Sequence, residues 1–170
     1  YVRAPVMAGR VVEDYLAAFG EMVDIFKLSG KQAIMMSDDS LKAFISACKN
    51  HQVMVAVGNP VMDIALTGGR EAVEGMLASI NKLGIDIVEL SSVARAIDDQ
   101  DVCRIIESAN KKGIKVINEV GVAFAHSRVG RDEMFVENVK KQTQRFLEAG
   151  SWKILLLSLI HISEPTRRYR

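Results

Sequence analysis

Three residues that could carry out chemistry stand near the ends of short apolar segments. Lys27 lies in VDIFKL, Glu89 lies in IDIVELS, and Glu119 stands before a glycine in KVINEVG. A buried charge has to be paired or bound to a metal, because burying it alone is costly. Two carboxylates and an ammonium group around one opening suit a divalent metal and an anionic substrate. We therefore predict Lys27 and Glu119 as catalytic residues, and Glu89 and Glu119 as metal ligands.

Small or polar residues follow the same segments and are candidates for substrate binding. Gly58 and Asn59 follow VMVAV, Ser91 follows IDIVEL, and Gly121 follows KVINEV. A structural interpretation also exists for each of these positions, since a glycine can make a turn and a polar residue can cap the next helix. Their value as candidates comes from standing at equivalent strand ends.

Oxygen ligands from few side chains describe magnesium better than zinc. The sequence has three histidines without metal-ligand spacing, and only His126, in the stretch after Gly121, could reach the same opening. We therefore expect Mg²⁺ as the cofactor. His126 is a further candidate acid or base.

The elements that must position these residues alternate along the chain. Helical apolar patterns separate five short apolar segments, about thirty residues apart as βα units require. These predicted strands are MVDIFKL (22–28), VMVAVG (53–58), IDIVELS (85–91), IKVINEV (114–120) and WKILLL (152–157). Asp98 or Asp99 should cap a helix, and Gly84, Gly113 and Gly150 stand where helices should end.

This cadence predicts an α/β fold with a parallel sheet. A doubly wound sheet and a (β/α) barrel are both compatible with the pattern. The patterns GxGxxG and GxxxxGK[ST] are absent from the sequence, which favours the barrel. We predict an incomplete (β/α) TIM-type barrel of about five parallel strands with flanking helices.

Strand alternation predicts the faces of the fourth segment. Val116 and Asn118 share one face, and Ile117 and Glu119 share the other. Parity alone does not say which face is inside, because both faces of a parallel strand are covered. The metal hypothesis supplies that choice, placing Glu119 with Glu89 at the barrel mouth and Asn118 toward the helices.

Composition excludes several classes of function. The 170 residues carry a formal net charge of +1 and only 6% aromatic residues, so nucleic acid is a poor partner. The run ILLLSLIHI is too short to cross a bilayer, so no membrane partner is expected. Cys48 and Cys103 lie inside helical patterns, which favours core positions in a reducing, cytoplasmic compartment.

The two ends of the sequence differ from the middle. The chain begins with Tyr1 and without a secretory signal, so the start is predicted to be internal to a gene. The final stretch, LSLIHISEPTRRYR, ends without any apolar period. We predict one partial barrel domain over residues 1–157 and a non-native tail over residues 158–170.

The order of several motifs resembles the phosphosulfolactate synthase family, which includes plant heat-stress-associated relatives. The resemblance covers roughly residues 10–155 and is carried by KxxG after VDIFK, by IDIVELS, by CRII with KKGIKV, and by KVINEVG. It implies a magnesium-dependent lyase that adds sulfite to phosphoenolpyruvate, on the route to coenzyme M or related sulfonates. Glu89 and Glu119 would hold the metal or its waters, and Lys27 would hold anionic substrate or serve the proton step. A homo-oligomer is left open.

This sequence departs from the family pattern at the mouth. The family has paired lysines after EVG, where this chain has Val122 and Ala123. After the second strand, the glycine-glycine-threonine of the family is replaced by Gly58, Asn59 and Pro60. After the third strand, its serine-aspartate-glycine is replaced by Ser91, Ser92 and Val93. A proline removes a backbone N–H donor from any phosphate grip. The scaffold therefore carries over better than the activity, and we expect this fragment to be inactive.

Three hypotheses of function follow. The first is a phosphosulfolactate synthase or near relative, and the second is a divergent barrel lyase or aldolase acting on another phosphorylated or carboxylated small molecule. The third is a non-enzymatic, stress-associated relative that keeps the fold. Since one fold hosts many functions, the fold cannot choose among them.

Overall fold

A single parallel sheet forms the centre of the protein. The computed structural model describes residues 1–4, 9–28, 32–90, 97–120 and 133–156. Its six strands are hydrogen-bonded side by side in chain order. They are β1 Val2–Ala4, β2 Ile25–Leu28, β3 Met54–Val57, β4 Ile87–Leu90, β5 Lys115–Val120 and β6 Lys153–Leu156. The five predicted strands are confirmed, and the structure adds β1.

The apolar patterns predict five of the helices in the described residues, and the structure adds those over residues 32–35 and 59–67. The helices are α1 Gly9–Phe19, α2 Gln32–Met35, α3 Asp38–Asn50, α4 Asn59–Thr67, α5 Gly69–Lys82, α6 Asp99–Lys111 and α7 Glu133–Glu148, with a 3₁₀ turn at Gly20–Met22. Asp98 caps α6, and its carboxylate accepts the Gln100 N–H at 2.7 Å. Of the two predicted caps, Asp98 is therefore the residue used.

Glycines stop three helices and turn the chain into the next strand. Gly84, Gly113 and Gly150 have φ angles of 76°, 74° and 103°. Only glycine adopts such angles without strain, so each predicted stop is confirmed. At Gly150 the turn is also held from outside, because the Asn110 side chain donates to its carbonyl at 3.0 Å.

Apolar residues cover both faces of the sheet, and the two layers differ in size. The outer face and the helices form a large core that includes Phe26, Leu28, Val55, Val57, Val88 and Val116. A smaller inner cluster holds Ile25, Ala56, Ile87 and Ile117, with Met54 and Leu155 against it. The sheet therefore curls around an inner cluster with its helices outside, which confirms an incomplete (β/α) TIM-type barrel.

Both cysteines contact the helix-side core, as their helical patterns predict. Cys48 is fully buried there, and burial raises the pKa of its thiol to about 12. Cys103 packs against the same core, and burial also raises the pKa of its thiol. A thiol that resists ionisation is a poor nucleophile, so neither cysteine is a candidate for redox chemistry.

The two predicted domain ranges extend beyond the residues that the structure describes. The predicted tail, residues 158–170, lies outside them, as does residue 157. Among the helices that the structure does describe, none is long and apolar enough to cross a membrane.

Candidate active site

The penultimate residue of each strand lies on the inner face of the sheet. Alternation places Lys27 with Ile25, Glu89 with Ile87 and Glu119 with Ile117, and these three isoleucines belong to the inner cluster. All strands are parallel, so these positions lie near the carboxyl end of the barrel, where barrel enzymes carry out chemistry. They are staggered, because Ala56 pairs in register with Ile87 and Glu89 pairs with Ile117. The six residues of this ring, which we call the mouth ring, are Arg3, Lys27, Ala56, Glu89, Glu119 and Leu155.

Glu89 is the most deeply buried charge of the mouth ring. Only 1% of its side chain is exposed, and the side chain of Lys27 is 14% exposed. The Lys27 ammonium group donates to Glu89 Oε1 and forms an ion pair with it. The Tyr1 hydroxyl donates to the other oxygen, Oε2, at 2.6 Å. Each oxygen of this carboxylate therefore has a donor.

The electrostatic state of Glu89 follows from these donors. Burial, the largest single effect, raises its pKa, but hydrogen bonds from Glu119, Lys27 and Tyr1 lower it and outweigh burial. The pKa of Tyr1 is raised, first by burial and then by the hydrogen bond and charge of Glu89. At neutral pH the site thus holds an ionised Glu89 and an un-ionised Tyr1 hydroxyl.

Glu119 meets Glu89 in this site. The hydrogen bond between their side chains is one cause of the lowered pKa of Glu89. The charge of Glu119 also helps to raise the pKa of Tyr1, so Glu119 lies close to both residues. The structure thus brings Glu119 and Glu89 together on the inner face, a choice of face that strand alternation alone leaves open.

Asn118 confirms the same parity from the opposite face. Its side chain is 1% exposed, and Ser151, between α7 and β6, donates its hydroxyl to Asn118 Oδ1 at 2.6 Å. Val116 and Val120, on the same face of β5, lie in the helix-side core. Asn118 is therefore a structural residue that ties the end of α7 to the sheet.

Comparison with known proteins now identifies the family. The sequence profile of "(2R)-phospho-3-sulfolactate synthase (ComA)" matches residues 4–158. The chain belongs to this family. The phosphosulfolactate synthase of Methanocaldococcus jannaschii is 28% identical over 112 residues, which are 66% of this chain and 44% of that protein. The matched part of the chain thus spans less than half of that relative.

Solved structures agree with the barrel fold of the family. A 2,3-dimethylmalate lyase of the PEP mutase/isocitrate lyase superfamily aligns with a TM-score of 0.59 and 14% identity, covering 92% of this chain and 57% of that one. A 3-hexulose-6-phosphate synthase aligns with a TM-score of 0.57 and 14% identity, covering 96% and 68%. At these identities the likeness concerns the fold alone.

The predicted substrate-binding residues of this ComA family member are only partly described. Gly58 is the N-cap of α4, at the carboxyl end of β3, and Asn59 is the first residue of that helix. A helix N-terminus at this edge offers backbone N–H groups to an anion. Ser91, Gly121 and His126 lie outside the described residues. All these roles stay predictions.

Tyr1 and Arg3 belong to the mouth region, although neither residue was predicted from the sequence. β1 has three residues, which is too short to show an apolar period, and Tyr1 precedes it. Both residues also lie outside the residues 4–158 that match the ComA family. The available signal was the alternation of Tyr1, Val2 and Arg3, which matches a strand with its middle residue facing the helices.

A magnesium ion fits the mouth ring in donor type. Within the described ranges, no three His, Cys, Asp or Glu side chains form a group that could hold a metal. Magnesium commonly takes one or two carboxylates and completes its shell with water and substrate oxygens. Both Glu89 oxygens already accept protein donors, and Glu119 is itself hydrogen-bonded to Glu89, so a cation here would share the carboxylates with these contacts.

A cavity of about 490 Å³ opens beside the inner cluster, and Tyr1 and Leu155 are among the residues that line it. Its lining includes Asp24, Trp152 and Lys153, which stand at the amino ends of β2 and β6. The ammonium groups of Lys115 and Lys153 lie 4.6 Å and 4.7 Å from the centroid of the Trp152 ring. Lys27, Glu89 and Glu119 come together at the other, carboxyl end of the strands.

Proposed function

We propose that this ComA family member acts on phosphoenolpyruvate and sulfite as a phosphosulfolactate synthase-type lyase. In this reaction the sulfur lone pair of sulfite forms a C–S bond to the methylene carbon. The displaced π electrons move toward the substrate carboxylate, and a proton then adds to the neighbouring carbon. The product carries the sulfonate, phosphate and carboxylate groups of phosphosulfolactate. The route would lead to coenzyme M or related sulfonates in the cytoplasm.

The observation that carries this proposal is the contact of Lys27, Glu89 and Glu119 at the carboxyl end of the barrel. The reaction needs a positive group where the substrate carboxylate gains charge, and a donor for the neighbouring carbon. An ammonium group can serve either need. The ionised Glu89 holds the Lys27 ammonium at the mouth, so Glu89 acts on the substrate through Lys27.

We further propose Mg²⁺ as the cofactor, held by Glu119 with support from Glu89. When bound, it would stabilise the negative charge that develops on the substrate carboxylate. A cation held between the two glutamates would relieve the repulsion of two ionised carboxylates.

The experiment is the substitution Glu119→Gln, with Glu107→Gln on the exposed face of α6 as a matched control. Calorimetric titration would measure Mg²⁺-dependent binding of phosphoenolpyruvate, and sulfonate formation would measure turnover. Binding is the first readout because, with the family patterns at the mouth replaced, we expect this fragment to be inactive. A glutamine amide can still donate to Glu89, so we expect Glu119→Gln to keep the metal-free melting temperature.

We expect Glu119→Gln to weaken Mg²⁺-dependent binding and to lower any turnover by about a hundredfold or more, while Glu107→Gln behaves as wild type. A variant that keeps its activity but loses stability would mark Glu119 as a structural partner of Glu89. In that case the site assignment is wrong.

One observation favours a second candidate, a divergent barrel lyase or aldolase with another phosphorylated or carboxylated substrate. Val122 and Ala123 stand where the family has paired lysines. Loss of a basic group there changes which anion the mouth can neutralise. Magnesium-dependent binding of another such anion, without turnover of sulfite, would select this candidate. A chain that binds neither magnesium nor a small anion would select the non-enzymatic hypothesis.

A further inference from the structure

Arg3 occupies the mouth-ring position of β1. It pairs in register with Lys27 of β2, so the two Cα atoms are neighbours across adjacent parallel strands, about 4.8 Å apart. Val2 packs against the helix-side core, while the Tyr1 hydroxyl reaches Glu89. Since side chains alternate along a strand, Arg3 lies on the inner face with Tyr1 and Lys27.

The charges of the mouth ring are distributed unevenly around the barrel. The two cations, Arg3 and Lys27, belong to the neighbouring strands β1 and β2. The two carboxyl groups, Glu89 and Glu119, belong to β4 and β5. An anionic group of a substrate is therefore attracted toward the β1 and β2 side and repelled from the opposite side.

Lys27 alone does not supply enough positive charge for an anion. Its ammonium group is already neutralised by the ionised Glu89. Arg3 is exposed at the mouth and carries a planar guanidinium group with five N–H donors. It already takes part in at least one interaction within the fold, and five donors allow a ligand to be bound in addition. Its fork geometry matches a carboxylate or a phosphate in a bidentate manner.

We propose that Arg3 is a substrate-binding residue that orients the carboxylate or phosphate group of the substrate beside Lys27. The identity of the substrate in this inference rests on the proposed function. The position of Arg3 beside Lys27 does not, because it follows from the pairing of β1 with β2. Arg3 precedes the residues that match the ComA family, so the family match assigns it no role. It would give this chain an anion-binding group contributed by its own first strand.

The test is calorimetric titration of the purified chain with phosphoenolpyruvate, inorganic phosphate and pyruvate, each in the presence of Mg²⁺. The variants are Arg3→Gln and Arg3→Lys, and the control is Arg104→Gln, which removes an exposed guanidinium group from α6. We expect Arg3→Gln to weaken phosphoenolpyruvate binding about tenfold to a hundredfold, as loss of a charge-assisted hydrogen bond does. Arg3→Lys should recover only part of it, and Arg104→Gln should leave it unchanged.

The single-group probes show which anion Arg3 holds. A loss confined to inorganic phosphate assigns the phosphate group, and a loss confined to pyruvate assigns the carboxylate. Phosphoenolpyruvate binding that is equal in wild type and Arg3→Gln overturns this inference and leaves the proposed function standing. If wild type binds phosphate or pyruvate through Arg3 but does not bind phosphoenolpyruvate, the inference holds and the proposed substrate is wrong. A wild-type chain that binds none of the three anions overturns the inference.

Discussion

The Lys27–Glu89 ion pair offers a direct test of the mouth ring. Glu89→Gln removes the negative charge and leaves the Lys27 ammonium group, 14% exposed, beside a neutral amide. Lys27→Met removes the ammonium group but leaves Glu89 with Tyr1 and Glu119 as hydrogen-bonding partners. The two single variants therefore break the same pair with unequal consequences.

The expected magnitudes follow from burial. Breaking a buried pair by removing one partner costs about 3–5 kcal/mol, and we take about 3 kcal/mol for Glu89→Gln because Lys27 keeps some access to water. For a chain of this length each kcal/mol lowers the melting temperature by about 2–4 °C, so the expected drop is about 6–12 °C. Lys27→Met should cost about 2 kcal/mol, because the remaining hydrogen bonds still stabilise the carboxylate.

The double variant Lys27→Met with Glu89→Gln decides the argument. It leaves no unpaired charge from this pair, so its unfolding free energy should lie about 2 kcal/mol above the value that additive costs give. The assay is urea unfolding at neutral pH, followed by far-UV circular dichroism. An exposed ion pair would give a different result. If each single variant lost less than about 0.5 kcal/mol of unfolding free energy and the two losses were additive, the pair would not be a buried one and the reasoning would be refuted.

Two further predictions concern pH and capping. The pKa of Glu89 is lowered from 4.5, so the stability supplied by its ionised form is complete above that value and is lost as the pH falls through the folded-state pKa. Wild type should therefore lose more unfolding free energy than Glu89→Gln between about pH 5 and pH 3, and equal slopes would contradict this. Asp98→Ala should lower the melting temperature by about 2–4 °C through loss of about 1 kcal/mol of helix capping. Asp101→Ala, which removes an exposed partner of Arg104, should have a smaller effect, and the opposite order would show that Asp98 does not cap α6.

The repeated order of helix, glycine and strand predicts most of the fold, because each of these elements depends on residues that are close together in the sequence. Each glycine stop, such as Gly113, depends on a left-handed angle that few other residues adopt. The strands β4, β5 and β6 each follow such a stop as a short apolar run. The sequence pattern does not predict β1, because three residues are too few to show an alternation. This strand forms through its pairing with β2.

The sequence predicted which residues form the candidate site, but not which contacts they make with one another. Parity predicts that Glu119 and Asn118 face opposite sides, whereas the inner side is fixed by tertiary contacts such as the hydrogen bond from Ser151 to Asn118. The ion pair of Glu89 with Lys27 joins residues 62 positions apart in the chain. The sequence suggested Glu89 chiefly as a metal ligand. Its hydrogen bonds with Lys27 and Tyr1 depend on contacts between distant parts of the chain, which the sequence pattern does not report.

Ala56 lies on the strand between those of Lys27 and Glu89. Lys27 belongs to β2 and Glu89 to β4, so β3 lies between them and their strands are about 10 Å apart. Ala56 is the mouth-ring residue of β3, fully buried and paired in register with Lys27. Its methyl group leaves space over β3 for the long lysine side chain, which a branched residue would fill. The ring therefore places a small residue between its cationic and acidic sides, and this space lets a buried carboxylate hold the ammonium group at the mouth.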